Sequence, residues 1–194
     1  MDKKRSKPTE MVPGWYADNA NEQFEIGLDS GVKHSGTNSA YIKSLVTGGK
    51  RKSFGNLMQW FDADEYRGQH FKMSAWVKTK LDSGTAQLWV RVDGRGHGDA
   101  MRDCFDNMGD RPIKGTTDWL HYSVVVDVPE SSSRINIGCI LCGTGEVWFD
   151  DVTIESVSKD VPLTGGFTNE KAPRKLQPSN LDFECKSNSK TKRK

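Results

Sequence analysis

The feature that most limits what this chain can fold into is a period of two. It recurs in short runs from Phe24 to Val157. Apolar and polar residues alternate in these runs, and Gly, Asp, Asn and Ser turns punctuate them about every eight to twelve residues. The pattern predicts strands near 24–29, 39–45, 57–62, 70–79, 85–93, 119–128, 133–141 and 147–157. No stretch carries a helical period longer than two turns, although Ala63 to Arg67 suits one short turn before Gly68. Many short strands without helices specify an all-β chain, an antiparallel β-sandwich of jelly-roll type.

Two of these runs carry a tryptophan on the polar face. Phe71, Met73, Ala75 and Val77 alternate with Lys72, Ser74, Trp76 and Lys78. Ala86, Leu88, Val90 and Val92 alternate with Gln87, Trp89, Arg91 and Asp93. Successive side chains on a strand point to opposite faces, so the apolar sets face a core and both indoles face away from it. An aromatic ring beside hydrogen-bonding groups suits a flat-sided ligand such as a sugar. Trp76, Gln87, Trp89 and Arg91 therefore form the first candidate site, in one shared groove. The run ending at Val128 adds Trp119 and His121 to the same polar side, and Asp106 and Asn107 belong to a neighbouring loop dense in turn formers. The alternative is that another layer covers both rings, or that Arg91 pairs with Asp93 or Asp106 and only closes the sheet.

The chain has 194 residues, 35 % of them hydrophobic, and a formal net charge of +2. Basic, aperiodic ends carry most of that excess, so the middle is near neutral, which argues against nucleic-acid binding as the role of the fold. The expected organisation is a disordered basic tail over 1–12, a sandwich over 13–158, a linker over 159–178, a docking segment over 179–185 and a disordered basic tail over 186–194. In the docking segment, Asn180-Leu-Asp-Phe-Glu keeps Leu181 and Phe183 at period two. No apolar run is long enough to cross a bilayer, and the first residues lack a secretory signal, so a cytoplasmic address is expected. Cys139 and Cys142 lie three apart on a strand, which points them to opposite faces and leaves them as reduced thiols rather than a metal pair.

Several motifs resemble known families. Gly27-Leu-Asp, Lys33-His-Ser-Gly and Ser39-Ala-Tyr-Ile resemble the start of galactose-binding-like jelly rolls, the class that includes bacterial carbohydrate-binding modules. Val147-Trp-Phe-Asp-Asp-Val-Thr-Ile-Glu resembles their closing strand. Asn180-Leu-Asp-Phe-Glu resembles their opening element but stands at the other end of the chain. A more specific resemblance runs from Trp15 to Glu184. It rests on Phe54-Gly-Asn-Leu-Met-Gln, Leu88-Trp-Val-Arg-Val-Asp-Gly, Arg111-Pro-Ile-Lys-Gly-Thr-Thr-Asp-Trp and Gly143-Thr-Gly-Glu-Val-Trp-Phe-Asp-Asp-Val. These are similar to an uncharacterised bacterial domain found alone or joined to AraC-type transcriptional regulators. The chain itself shows no helix-turn-helix signal.

The resemblance implies a jelly roll more firmly than an activity. It also implies a structural calcium ion near the His-Ser-Gly turn, with Asp29, Asp150, Asp151 and Glu184 as carboxylate donors. None of His34, His70, His97 and His121 stands in a recognisable catalytic motif, and no catalytic residue is expected. Three roles stay open. The first is a non-catalytic module for a carbohydrate or similar small polar ligand. The second is a sensory or protein-interaction domain beside a transcriptional regulator, and the third is a hydrolase.

Overall fold

Two pairs of the expected strands are fused into very long ones, and that fusion builds the molecule. The computed structural model describes residues 9–18, 23–46, 54–95, 102–164, 170–171 and 180–184. Its strands are β1 (Thr9–Val12), β2 (Trp15–Asp18), β3 (Phe24–Asp29), β4 (Ser39–Ser44), β5 (Phe54–Asp62), β6 (Gln69–Arg95), β7 (Arg102–Asp106), β8 (Thr116–Val128), β9 (Arg134–Val157) and β10 (Glu170–Lys171). A 3-10 turn, Asp64–Tyr66, fills the short-turn expectation before Gly68.

β6 and β9 pair antiparallel along nearly their whole length, from His70 opposite Val157 to Asp93 opposite Arg134. The first half of β9 also pairs with β5, and its second half with β4. The first half of β6 pairs with β8, and its second half with β7. Two leaves result. The first runs β1, β2, β5, first half of β9, second half of β6, β7. The second runs β3, β4, second half of β9, first half of β6, β8. Strands that change sheet at a corner do so through bulges, and the β6–β9 register shifts between Leu81 and Ser83. Gly143 (φ 88°) serves this corner, where an added Cβ would stand 2.5 Å from the Ser83 carbonyl oxygen. The fold is an antiparallel sandwich, apart from the short parallel pairing of β10 with the end of β6.

The core lies between the leaves. Phe71, Met73, Ala75, Val77, Ala86, Leu88, Val90 and Val92 are all 0 % exposed, so the expected inward parity holds on both halves of β6. Burying one such side chain contributes roughly 1.5–3 kcal/mol. A one-residue slip would expose the whole stripe, which fixes the register. Across the gap Trp15 meets Phe149 edge-on at 5.8 Å, and Phe61 meets Phe71 at 6.0 Å. Cys139 is buried in this core, while Cys142 lies half-buried beside Gln87 on the other face of β9. Both thiols are free.

The ends differ from expectation at their borders. Pairing begins at Thr9, inside the expected tail, because β1 returns on β2 and buries Val12. Thr164, inside the expected linker, bonds both backbone groups of Val125 on β8. Residues 1–8, 165–169, 172–179 and 185–194 of the expected tails and linker lie outside the described residues, as do His97 and Cys185. Asn180-Leu-Asp-Phe-Glu docks on its own domain. Phe183 is 0 % exposed and packs 5.0 Å from Phe149 and 5.1 Å from Trp15.

Candidate binding face

Residues directly opposite one another in a ladder share a face, so the register lays out the outer side of the first leaf. One row reads Trp60, Asn136, Arg91, Phe105 across β5, β9, β6 and β7. The next reads Tyr16, Met58, Gly138, Trp89 across β2, β5, β9 and β6. A third reads Asn56, Ile140, Gln87. Aromatic, amide and guanidinium groups thus form a continuous lattice outside the core.

The lattice is braced from within. Trp89 is only 6 % exposed. Its Nε1–H donates to Asn56 Oδ1 at 2.9 Å, and its ring meets Phe105 edge-on at 6.4 Å. It can cross β9 because Gly138 has no side chain, and a Cβ there would come within 2.7 Å of Trp89 Nε1. Trp89 is therefore the floor of this face rather than a free platform. Arg91 Nε donates to Asp93 Oδ1 at 2.6 Å, and Asn136 Nδ2 donates to Asp93 Oδ2 at 2.8 Å. The Arg134 guanidinium lies 4.9 Å from the Trp60 ring centre, a cation–π arrangement. Burial pulls the Arg134 pKa below its usual value, and its Nε is buried without a hydrogen-bond partner among the described residues. Tyr16, Trp60 and Arg91 are half-buried and reach solvent from this face.

The expected shared groove does not form. Trp76 belongs to the first half of β6 and Trp89 to the second, and β6 changes leaf between them. Outward parity holds for each ring, but it points them to the outsides of different leaves. Trp76 joins a second cluster. His34 stacks on it at 4.1 Å, His121 lies 5.4 Å away, and Trp119 meets His34 edge-on at 5.7 Å. Gln87 and Arg91 stay with Trp89 on the first leaf. Asp106 pairs with inward-facing Val90, and its carboxylate accepts from the Met108 N–H at 2.8 Å and from Arg111 Nη2. It holds the following turn and does not enter the lattice. Asn107 Oδ1 accepts from the Gly109 N–H at 3.2 Å.

The four expected calcium donors do not converge. Asp150 Oδ2 accepts from the backbone N–H of His34 (2.8 Å) and Ser35 (3.1 Å). Asp151 accepts from His34 Nδ1 and Ser35 Oγ, both at 2.6 Å. Glu184 Oε1 accepts from the backbone N–H of Thr37 (2.9 Å) and Asn38 (3.0 Å). Asp29 Oδ2 accepts from Trp148 Nε1 at 2.9 Å. Calcium requires six to eight converging oxygens, whereas here N–H and O–H donors point at the carboxylates. This donor set does not fit the ion. Among the described residues, no group of three or more His, Cys, Asp or Glu side chains is arranged to hold a metal.

Sequence reasoning missed Tyr16, Asn56, Trp60, Arg134 and Asn136. Parity on β5 offered a signal, but Gln59, a polar residue buried at 0 % exposure, blurs the alternation there.

The xylan-binding domain CBM22-1 of Paenibacillus barcinonensis Xyn10C superposes with a TM-score of 0.52 at 14 % identity, covering 78 % of this chain and 90 % of that one. The C-terminal family 22 carbohydrate-binding module of Clostridium thermocellum Xyn10B gives 0.51 at 15 %, covering 78 % and 89 %. The fold is a jelly roll, shared with these modules. A part of the enzymatically active domain of tailspike protein 4 from bacteriophage CBA120 also superposes, with a TM-score of 0.53 at 15 % identity over 74 % of this chain and 19 % of that one. In sequence, the chain is 40 % identical over 185 residues to the uncharacterized HTH-type transcriptional regulator YbfP of Bacillus subtilis (strain 168). That match takes in 94 % of this chain but spans only 60 % of the relative. No family model matches the chain. Among the described residues, no helix is long and apolar enough to cross a membrane.

Proposed function

We propose that this chain is a non-catalytic binding module that holds a carbohydrate or similar polyhydroxylated ligand on the outer face of the first leaf. One observation carries the reading: the rows that set the half-buried rings of Trp60 and Tyr16 beside Arg91, Arg134, Asn136 and Gln87 on a surface braced by buried Trp89. Such rings stack on the apolar C–H faces of a sugar, while guanidinium and amide groups bond its hydroxyls. The fold that presents this face is one it shares with a xylan-binding domain.

The match to an HTH-type regulator favours a sensory setting, in which the jelly roll reports ligand to a transcriptional regulator in the cytoplasm. Affinity capture of a helix-turn-helix regulator from the source cell tests that arm. A hydrolase is the remaining alternative, and turnover of a glycan panel would establish it.

The binding test is calorimetric titration with xylo-, gluco- and galacto-oligosaccharides. Trp60→Ala is expected to weaken binding by roughly 1–3 kcal/mol, the scale of an aromatic anchor. Absence of binding across the panel would overturn the reading.

A further inference from the structure

The outer side of the second leaf carries a pocket that the proposed sugar face does not use. It is an open depression of about 340 Å³ between β3, β4 and the second half of β9. Its floor is aromatic. Tyr41 lies opposite Trp148 in one ladder and opposite Gly27 in the next. The Tyr41 ring lies across Gly27, where an added Cβ would stand 3.3 Å from its Cε1. The missing side chain is what lets the ring lie flat and leaves the space above it open.

The rim is negative. Glu25, Asp29 and Glu146 line it against Lys43, and Lys33, bonded to the rim carbonyl of Ser30, stands beside Asp29 as a second cation. Lys43 pairs with Glu146 at 2.8 Å. The Tyr41 hydroxyl donates to Glu25 Oε1 at 2.5 Å, and Trp148 Nε1 donates to Asp29 Oδ2 at 2.9 Å. Both rings thus turn their polar edges to carboxylates, and both line the pocket.

We propose that this pocket binds a small organic ammonium ion. Carboxylates only accept hydrogen bonds, so the occupant must bring donors. A cation adds attraction to the rim and to the ring faces. An anion meets Glu25 and Asp29, and a neutral sugar gains neither term. The volume lies at the small end of ligand pockets, which restricts the occupant to a compact molecule. Burial pushes the Tyr41 phenol well above its usual pKa, and the bond and charge of Glu25 push it further. The same negative field favours an ammonium.

Two sources share this chemistry, an amino sugar and a linear alkylamine. The full chain is titrated by calorimetry with glucosamine and with cadaverine, and N-acetylglucosamine serves as the neutral control. At least one amine is expected to bind, the control to give no heat, and added salt to weaken binding. Glu25→Gln and Gly27→Val, checked for folding by melting curves, are each expected to lose most of the affinity. If Gly27→Val does not fold, Glu146→Gln on the rim replaces it. Trp60→Ala, on the other leaf, leaves amine binding unchanged, so failure of the sugar face and failure of this pocket are separable. Silence from both amines overturns the proposal, as does equal binding to Glu25→Gln or loss of binding in Trp60→Ala.

Discussion

The indole N–H of Trp15 donates to the carbonyl oxygen of Asn180, 2.9 Å away and 165 residues later in the chain. The Asn180–Glu184 motif thereby closes the sandwich against β2, near its start. Leu181 O accepts from the Val152 N–H at 3.3 Å, Phe183 fills the gap between Trp15 and Phe149, and Glu184 ties down the turn at Thr37. Phe183 holds φ at 60°, a left-handed conformation rare for a bulky residue. Its packing must outweigh that strain. Phe183→Ala is expected to cost about 3–5 kcal/mol, as for other buried aromatics. Urea unfolding measures it, and a loss below about 1 kcal/mol would show that the motif does not close the core.

Trp89 and Gly138 make a matched pair. Trp89→Ala is expected to destabilise the fold by about 3–5 kcal/mol, against a smaller loss for half-buried Trp60→Ala. Gly138→Ala drives a methyl to within 2.6 Å of the Leu57 carbonyl and 2.7 Å of the Trp89 indole. An overpacking cost of about 1–3 kcal/mol follows. Thermal melts of the three variants check the order, and a Gly138→Ala melt equal to wild type would mean that the indole does not lie across β9.

Acid should loosen the second leaf through Asp29. Burial pushes its carboxyl up, but the Trp148 indole N–H, the Val32 and Gly31 amides and Lys33 together hold it below the ordinary 3.8. A group whose pKa is lowered by folding adds stability above its unfolded pKa and loses it as pH falls through the folded value. The contribution of Asp29 is thus whole at neutral pH and fades below about pH 3.8. Asp29→Asn is expected to flatten this part of the stability–pH curve. Stability is followed by urea unfolding at each pH, and an unchanged slope in the variant would remove Asp29 from the account.

Calcium should not matter to the fold. The turn at His34 to Asn38 is held by carboxylates that already accept N–H donors. Adding calcium or a chelator is expected to leave the melting temperature unchanged. A rise with calcium, reversed by chelator, would show that the turn rearranges around the ion.

The parity of single strands was legible, and the connection between strands was not. Alternation places the inward residues of 71–77 and 86–92 correctly, because burial of a whole stripe dominates local energetics. It carries no information about the corner at Leu81 and Ser83, since a strand that changes leaf keeps its period. Trp76 and Trp89 therefore read as neighbours and are not. β1 and β2 escaped notice because they are four residues each and broken by Pro13-Gly14, which reads as a turn inside a polar end. The docking of Leu181 and Phe183 was visible as an apolar island. Its destination required Trp15 and Phe149, which lie far away in sequence. Arg134 and Asn136 open a strand whose interest in sequence was its cysteines, and only the ladder to Trp60 and Arg91 gives them a shared face.

β6 and β9 each belong to both leaves, so neither leaf can be excised, swapped or melted while the other survives. Their paired amides near the corner should exchange with deuterium only when the entire molecule opens. A probe on either flank would then report one cooperative transition.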